Sequence, residues 1–403
     1  MRMLDKASKL KDVRYEVRGP VLEEAEKMIR AGDKVLKLNI GNPAVFGFDA
    51  PEELFNQLAN NIRSSQAYSD SKGIAPALAA IQAYHTKKGL PNVTEGGIYT
   101  GNGASELISM CMTALLDTGD EILIPAPDYP LWTASATLAG GKVAHYICDE
   151  SAEWAPDATD IKKKITPRTK AIVVINPNNP TGALYGREAL QQIVDIAREH
   201  DLIIFADEIY DRIVYEGTHT SIASLAPDLF CVTFNGLSKS HIICGFRCGW
   251  MVLSGDKSKA QGYIDGLNTL SSMRLCANVL SQQVIPFALG QDEPNPHTLP
   301  GGRLYEQGMY VAETLNDIPG VSVVAPKASM YVFPKLDTGR FSITSDQQFA
   351  IDFLHRQKVL IIQGTGFNWG APDHFRIVFL PNIEDLQTAM QKLDAFLSTY
   401  QQH

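Results

Sequence analysis

The sequence predicts an α/β protein, an open and mostly parallel sheet with helices on both sides, followed by a smaller α+β domain. Three observations predict it. Between about residues 50 and 290, the short apolar runs IYT, EILIPA, AIVVINP, LIIFADE, CVTFNG and GWMVLS alternate with helical patterns. These runs are β-branched and nearly uninterrupted, as in strands buried on both faces. The segment GQDEPNPHTLPGG (290–302) is rich in proline and glycine, and the pattern beyond it changes. A chain of 403 residues is also too long for one small core.

In chain order, residues 1–45 hold a basic arm and part of the small domain. Within them PVLEEAEKMIRAG reads as a helix, proline at its start and glycine at its end. The run VLKLNIG then opens the loop GNPAVFGFDAP. Residues 46–295 form the large domain. Within it, Leu190, Ile193, Val194 and Ala197 make one apolar face of a helix over 187–199. Residues 296–403 form the small domain, with VSVVAPKASMYVFPKLD, VLIIQG and FRIVFL between helical stretches. Ligands of such sheets sit beyond the carboxyl ends of the strands.

The net charge of -9 argues against nucleic acid or an anionic membrane as the partner. The N-terminal stretch has no apolar signal core, and no run approaches the roughly 18 apolar residues of a membrane span. Six scattered cysteines lack the spacing of a metal site. They read as small hydrophobes, or, for Cys244 and Cys248, as a redox pair. A reducing cytoplasm is the expected compartment.

The stretch FNGLSKSHIICGFRCGW (234–250) puts Arg247 eight residues after Lys239. A lysine beside an apolar, glycine-punctuated turn suits an amine that attacks a carbonyl, and the arginine suits a phosphate. Pyridoxal phosphate requires both, with Lys239 as its Schiff-base lysine, and the chain meets its other needs. TGNGASEL (100–107) opens a helix: Gly103 admits a close backbone approach, and Ala104 and Ser105 present free N–H groups to an anion. Ser238 would face the same phosphate. Asp207, after the apolar run LIIFA, needs a cationic partner, which a pyridinium would supply. Tyr210 and Asn179 are placed to reach the ring hydroxyl, and Tyr129, in PAPDYPLW, to stack on the ring. Arg376, opening an alternating strand in DHFRIVFL, suits a substrate carboxylate, and Gly41 would let the substrate backbone in. Each has a plainer reading: a turn for TGNGASEL and Asn179, packing for Tyr129, a cap or ion pair for Asp207, a salt bridge for Arg376.

In their order, GNP, Y-x-x-x-x-G, G-x-G-A-S-E, P-x-Y-P-x-W, NPNNPTG, ADEIY, SK…GFRxGW and the late FRI, these motifs resemble the class I aminotransferases of fold type I, from about residue 10 to the C-terminus. At finer grain VRYEVRGPVLEEA, LNIGNPAVFGFDAP, PAPDYPLWTA, SMRLCANV and GGRLYEQ resemble the bacterial alanine (glutamate–pyruvate) aminotransferases. The resemblance implies a seven-stranded main sheet, a homodimer with shared active sites, and ping-pong exchange of L-alanine and 2-oxoglutarate for pyruvate and L-glutamate. It also implies that Tyr68 reaches the phosphate of the neighbouring subunit. The chain departs from that group in SHIIC (240–244) and in Ala328-Ser329-Met330. A transaminase using glutamate must also hold a second carboxylate. Arg18 of the N-terminal arm is the candidate for it, with Tyr15 beside it as a substrate contact and Arg274 as the rival. A C–S β-lyase on the same fold, another amino donor, and a binding protein that kept the fold stay open. A nicotinamide enzyme fits poorly, since no GxGxxG opens a helix with an acid about 20 residues on.

Overall fold

A computed structural model describes residues 4–11, 13, 15, 19–291 and 293–402. Eight strands build the main sheet: β1 Ile98–Asn102, β2 Glu121–Ala126, β3 Lys142–Asp149, β4 Ala155–Pro156, β5 Thr169–Ile175, β6 Ile203–Asp207, β7 Phe230–Gly236 and β8 Cys248–Gly255. Their spatial order is β1-β8-β7-β6-β5-β2-β3-β4. The pairings from β7 through β6, β5 and β2 to β3 are parallel. β8 is antiparallel to both neighbours, and β4 is an antiparallel edge. The seven strands expected are joined by an eighth of two residues. β3 is not among the apolar runs of the sequence, because this next-to-edge strand keeps Lys142, Ile147 and Asp149 exposed.

Both faces of the sheet are buried. On β5, Ile172 and Val174 join one hydrophobic cluster, while Ala171, Val173 and Ile175 join another on the opposite face. That two-residue alternation is the strand period, and it accounts for an apolar run without polar interruption. Helix α1 (Pro20–Arg30) begins at the expected proline, α2 (Ala104–Leu115) follows β1, and α3 (Arg187–Glu199) buries Leu190, Ile193, Val194 and Ala197. The strand order reverses between β2 and β5, so the loops after their carboxyl ends part and leave a crevice.

A third cluster joins Val21, Ala25 and Met28 of α1 to Leu38 and to residues between Leu304 and Tyr400. There Phe375–Val378 is the central strand of three, antiparallel to Tyr331–Val332 and Ile362–Gln363. All four of its residues are buried, Arg376 included at 2% exposure, so the expected half-exposed alternation does not hold: this strand has neighbours on each edge and cover on each face. Among the described residues, no helix is long and apolar enough to cross a membrane.

Two buried charge clusters hold the segments that frame the crevice. After β6 the chain turns through Glu208 and Asp211, and both carboxylates meet Lys88 Nζ, at 2.9 and 2.7 Å. Tyr84 and Asn235 also donate to Asp211, and Ser221 donates to Glu208. Burial alone would push the Lys88 ammonium toward neutrality, but Asp211 and Glu208 outweigh it and hold its pKa above the usual value. Removing one partner of such a buried set typically costs about 3–5 kcal/mol, so the turn after β6 is firmly placed.

The second cluster ties the end of β3 to the strand of Arg376. His374 is stacked on Phe333 at 4.9 Å and flanked by Trp154 and Trp369. Its Nδ1 lies 2.7 Å from Asp373 Oδ1 and its Nε2 3.4 Å from Glu150 Oε1. Lys335 faces the same two acids, at 3.9 and 3.1 Å. Burial disfavours the imidazolium, but Asp373 and Glu150 outweigh it and raise the pKa above 6.5. A raised folded-state value stabilises fully below the unfolded pKa, and that contribution is lost as pH climbs through the folded value. The thermal midpoint of the wild type therefore falls, from about pH 6.5 upward, more steeply than that of His374→Gln. Parallel curves for the two proteins would contradict this.

Candidate active site

The loops after β1, β2, β5, β6 and β7 meet the segment 40–42, Tyr331 and Arg376 around a cavity of about 590 Å³. Asp207 is the last residue of β6 and its side chain is buried there. Trp132 Nε1 donates to its Oδ2 at 3.0 Å and the Ile209 amide to its Oδ1 at 3.4 Å. No cation among the described residues pairs with it, and burial lifts its carboxyl to about 6. The neighbouring acids, Glu208 and Asp211, point to Lys88, so the turn sends one carboxylate into the cavity and two away from it.

One end of the cavity gathers donors. Lys239 follows β7 in the short helix Leu237–Ser240, and its Nζ donates to the carbonyl of Gly41. Arg247 sits at φ 55°, and its guanidinium donates to the carbonyls of Cys244, at 3.0 Å, and Asn102, at 3.3 Å. Gly103 precedes α2 at φ 77°, and a Cβ there would lie 2.1 Å from Arg247 Nη2. Gly249 matters in the same way, since its Cβ would meet the Ala104 amide at 2.4 Å. These two glycines let Arg247 and β8 close on the first turn of α2, where the amides of Ala104 and Ser105 have no intrahelical acceptor. Ser238 and Cys244 complete this end, with Cys244 Sγ donating to the Ser238 carbonyl at 2.8 Å.

The other end holds a buried guanidinium. Arg376 Nη1 donates to Asn179 Oδ1 at 2.9 Å and Nη2 to the Asn39 carbonyl. Its Cζ lies 4.4 Å from the Tyr331 ring and 4.5 Å from that of Phe367. Its Nε finds no partner among the described residues, and burial lowers its pKa. None of the ion pairs among the described residues includes Arg376, Arg247 or Lys239. Tyr210 and Tyr331 share a hydroxyl–hydroxyl bond of 2.9 Å, and Tyr129 and Tyr15 one of 3.0 Å.

All the expected site residues line this cavity except three. Gly103 lies behind Arg247, and Tyr68 is 80% exposed, outside the cavity of its own chain. Arg18 lies outside the described residues. Arg274, its rival, is not in the cavity: Nη1 pairs with Glu106 at 2.5 Å and Nη2 donates to the carbonyls of Ser71 and Thr100. All six cysteines are free, and Cys248 is buried in β8. The divergent stretch after Lys239 is anchored by His241, whose Nε2 faces the Ala288 carbonyl at 3.1 Å while Nδ1 faces Ser240 Oγ at 2.9 Å. Sequence reasoning missed Tyr331, Trp132 and the cavity face of Cys244. Only Trp132, closing PDYPLW, carried a local signal.

The cavity thus offers an amine, an anion cradle, a buried unpaired carboxylate and a buried unpaired guanidinium. That set fits a ligand with a phosphate, a protonated heterocyclic nitrogen and an adjoining carboxylate, as pyridoxal phosphate joined to an amino acid has. Residues 33–393 match the family of class I and II aminotransferases. The chain is 56% identical to the glutamate–pyruvate aminotransferase AlaA of Escherichia coli (strain K12), over the whole of both chains. It is 50% identical to an alanine aminotransferase of Mycobacterium bovis, covering all of this chain and 94% of that one. Among solved structures, an aminotransferase from Escherichia coli superposes with a TM-score of 0.98 at 56% identity over 100% of both chains. The alanine aminotransferase of Pyrococcus furiosus superposes with 0.93 at 37% identity, over 98% of this chain and 100% of that one. This chain therefore belongs to the class I and II aminotransferases.

Proposed function

We propose that this aminotransferase interconverts L-alanine and 2-oxoglutarate with pyruvate and L-glutamate. The observation that carries a transaminase site is the pair of buried, oppositely charged and unpaired groups, Asp207 and Arg376, lining one cavity with Lys239. The alanine–glutamate preference is supported by the 50–56% identity to enzymes of those names. The family is pyridoxal-phosphate-dependent. That cofactor, when bound, supplies an aldehyde for the amino group and a ring that takes up the electron pair left at Cα.

The residues divide the rest of the work. Arg247, Ser238 and the amides of Ala104 and Ser105, with Gly103 giving room, would hold the phosphate. Asp207, its carboxylate fixed by Trp132, would keep a proton on the ring nitrogen. Tyr129 would cover the ring, while Tyr210 and Asn179 would donate toward its hydroxyl oxygen. Arg376 binds the substrate carboxylate through parallel hydrogen bonds, Asn179 steadies that guanidinium, and Gly41 leaves space for the substrate backbone. Lys239 Nζ would take and return the Cα proton. Tyr15 and Arg18 close the arm over the substrate, Arg18 meeting the distal carboxylate of glutamate.

The same reading includes a homodimer in which Tyr68 serves the site of the second copy, which its exposure supports. It places the enzyme in the cytoplasm, in keeping with six free cysteines. It divides the chain into a large domain at 46–295 and a small one at 296–403 joined by residues 1–45, and the cluster linking α1 to Leu304–Tyr400 supports that division.

Two measurements test it. With the cofactor stripped, Asp207 is a buried acid held at about 6 against an ordinary 3.8. A raised value means that its contribution is full below the unfolded pKa and is lost as pH rises through the folded one. Relative to Asp207→Asn, the stripped wild type thus loses on the order of 1 kcal/mol between about pH 5 and pH 7.5, read by urea midpoints; a constant difference would contradict it. In steady-state kinetics, alanine and glutamate are the preferred donors, and Arg18→Ala raises the KM for glutamate roughly ten-fold with that for alanine little changed. Equal losses for both, or none, remove Arg18 from the role. Continuous release of pyruvate and ammonia from cystathionine without any oxo-acid acceptor would instead indicate a lyase.

A further inference from the structure

Tyr331 joins two of the site's candidate residues, Tyr210 and Arg376. Its hydroxyl lies 2.9 Å from that of Tyr210, and the two rings meet edge to face at 5.8 Å. The same ring lies under the Arg376 guanidinium at 4.4 Å. Its hydroxyl also fills the space that a side chain at position 41 would need: a Cβ on Gly41 would fall 2.1 Å from it. Gly41 in turn accepts from Lys239 Nζ. One buried side chain therefore meets the tyrosine and the arginine of the site and packs against the glycine that accepts from its lysine.

We infer that Tyr331 is a positioning residue with two separable parts: its hydroxyl donates to Tyr210 and sharpens Tyr210 as a donor toward the cofactor's ring oxygen, and its ring holds Arg376 for the substrate carboxylate. The inference rests on the pyridoxal phosphate reading above. Both hydroxyls have one proton to give. If Tyr331 donates to the Tyr210 oxygen, the Tyr210 proton is free to point into the cavity, and donation along a chain strengthens the next bond. Burial keeps Tyr210 from ionising, so it stays a donor over the working pH range. The ring part is electrostatic. Among the described residues Arg376 pairs with no carboxylate, and its guanidinium lies against the Tyr331 and Phe367 rings.

The two parts are read by two variants of the cofactor-loaded enzyme. Tyr331→Phe keeps the ring and removes the hydroxyl. A weaker Tyr210 bond leaves more negative charge on the cofactor's ring oxygen, which then holds the neighbouring proton on the Lys239 nitrogen more tightly. The pH midpoint of the visible absorption band therefore rises by about 0.4 to 1 pH unit, with the KM for alanine within two-fold or so of wild type. Tyr331→Leu removes both parts and raises that KM roughly five-fold or more beyond Tyr331→Phe. A midpoint in Tyr331→Phe that stays or falls overturns the hydroxyl's role, and equal KM values in the two variants overturn the ring's. Should Tyr331→Leu not fold, the Tyr331→Phe spectrum still decides the first part, and Phe367→Leu, which removes the other ring, decides whether ring contact holds Arg376. A wild type without any visible band refutes the cofactor reading itself, independently of Tyr331.

Discussion

A carboxylate that the fold buries without a counter-charge is the constraint on which the rest of the site depends. Asp207 ends a central strand, receives one indole and one amide hydrogen bond, and is buried with no cation paired to it among the described residues. Two hydrogen bonds do not repay the desolvation of a full charge. The arrangement becomes favourable only when a cation occupies the cavity, and a protonated ring nitrogen is such a cation. In the proposed reading binding and chemistry are linked, because the pairing that would stabilise the bound ligand would also keep its ring electron-poor.

The surrounding architecture makes that charge imbalance tolerable and well directed. The turn after β6 carries three acids within five residues, which without help would repel one another. Lys88, with Tyr84, Asn235 and Ser221, absorbs Glu208 and Asp211 on the far side, leaving Asp207 alone to face the crevice. Opposite it, Arg376 is the mirror case, a buried cation supported by two aromatic rings and two neutral oxygens rather than by an acid. An acid beside Arg376 would compete with a substrate carboxylate; rings and amide oxygens orient the guanidinium and leave its charge available.

Much of this is legible in the sequence, and the reason is local. Strands buried on both faces write unbroken apolar runs, so β2, β5, β6, β7 and β8 stand out, and the functional residues follow directly at their carboxyl ends. Asp207, Asn179, Lys239 and Arg247 could be placed by position alone, and α1 and α3 by their proline and their apolar spacing. What escaped depends on tertiary pairing. β3 lies beside the edge and mixes polar with apolar residues. Tyr331 sits in a two-residue strand, and only the partners that folding brings to it, Tyr210 and Arg376, distinguish it from a core tyrosine. Lys88 looks like any helix-end lysine until two acids more than a hundred residues away close on it. The alternation read around Arg376 failed because that strand is covered on both faces.

The most direct measurement of the central claim is the ¹⁵N chemical shift of the ring nitrogen in protein loaded with ¹⁵N-labelled pyridoxal phosphate, followed from about pH 6 to pH 9. Pairing with Asp207 predicts a protonated nitrogen across that range in the wild type and a deprotonated one in Asp207→Ala. A neutral ring nitrogen in the wild type at neutral pH, or one whose protonation is the same in both proteins, would contradict the account.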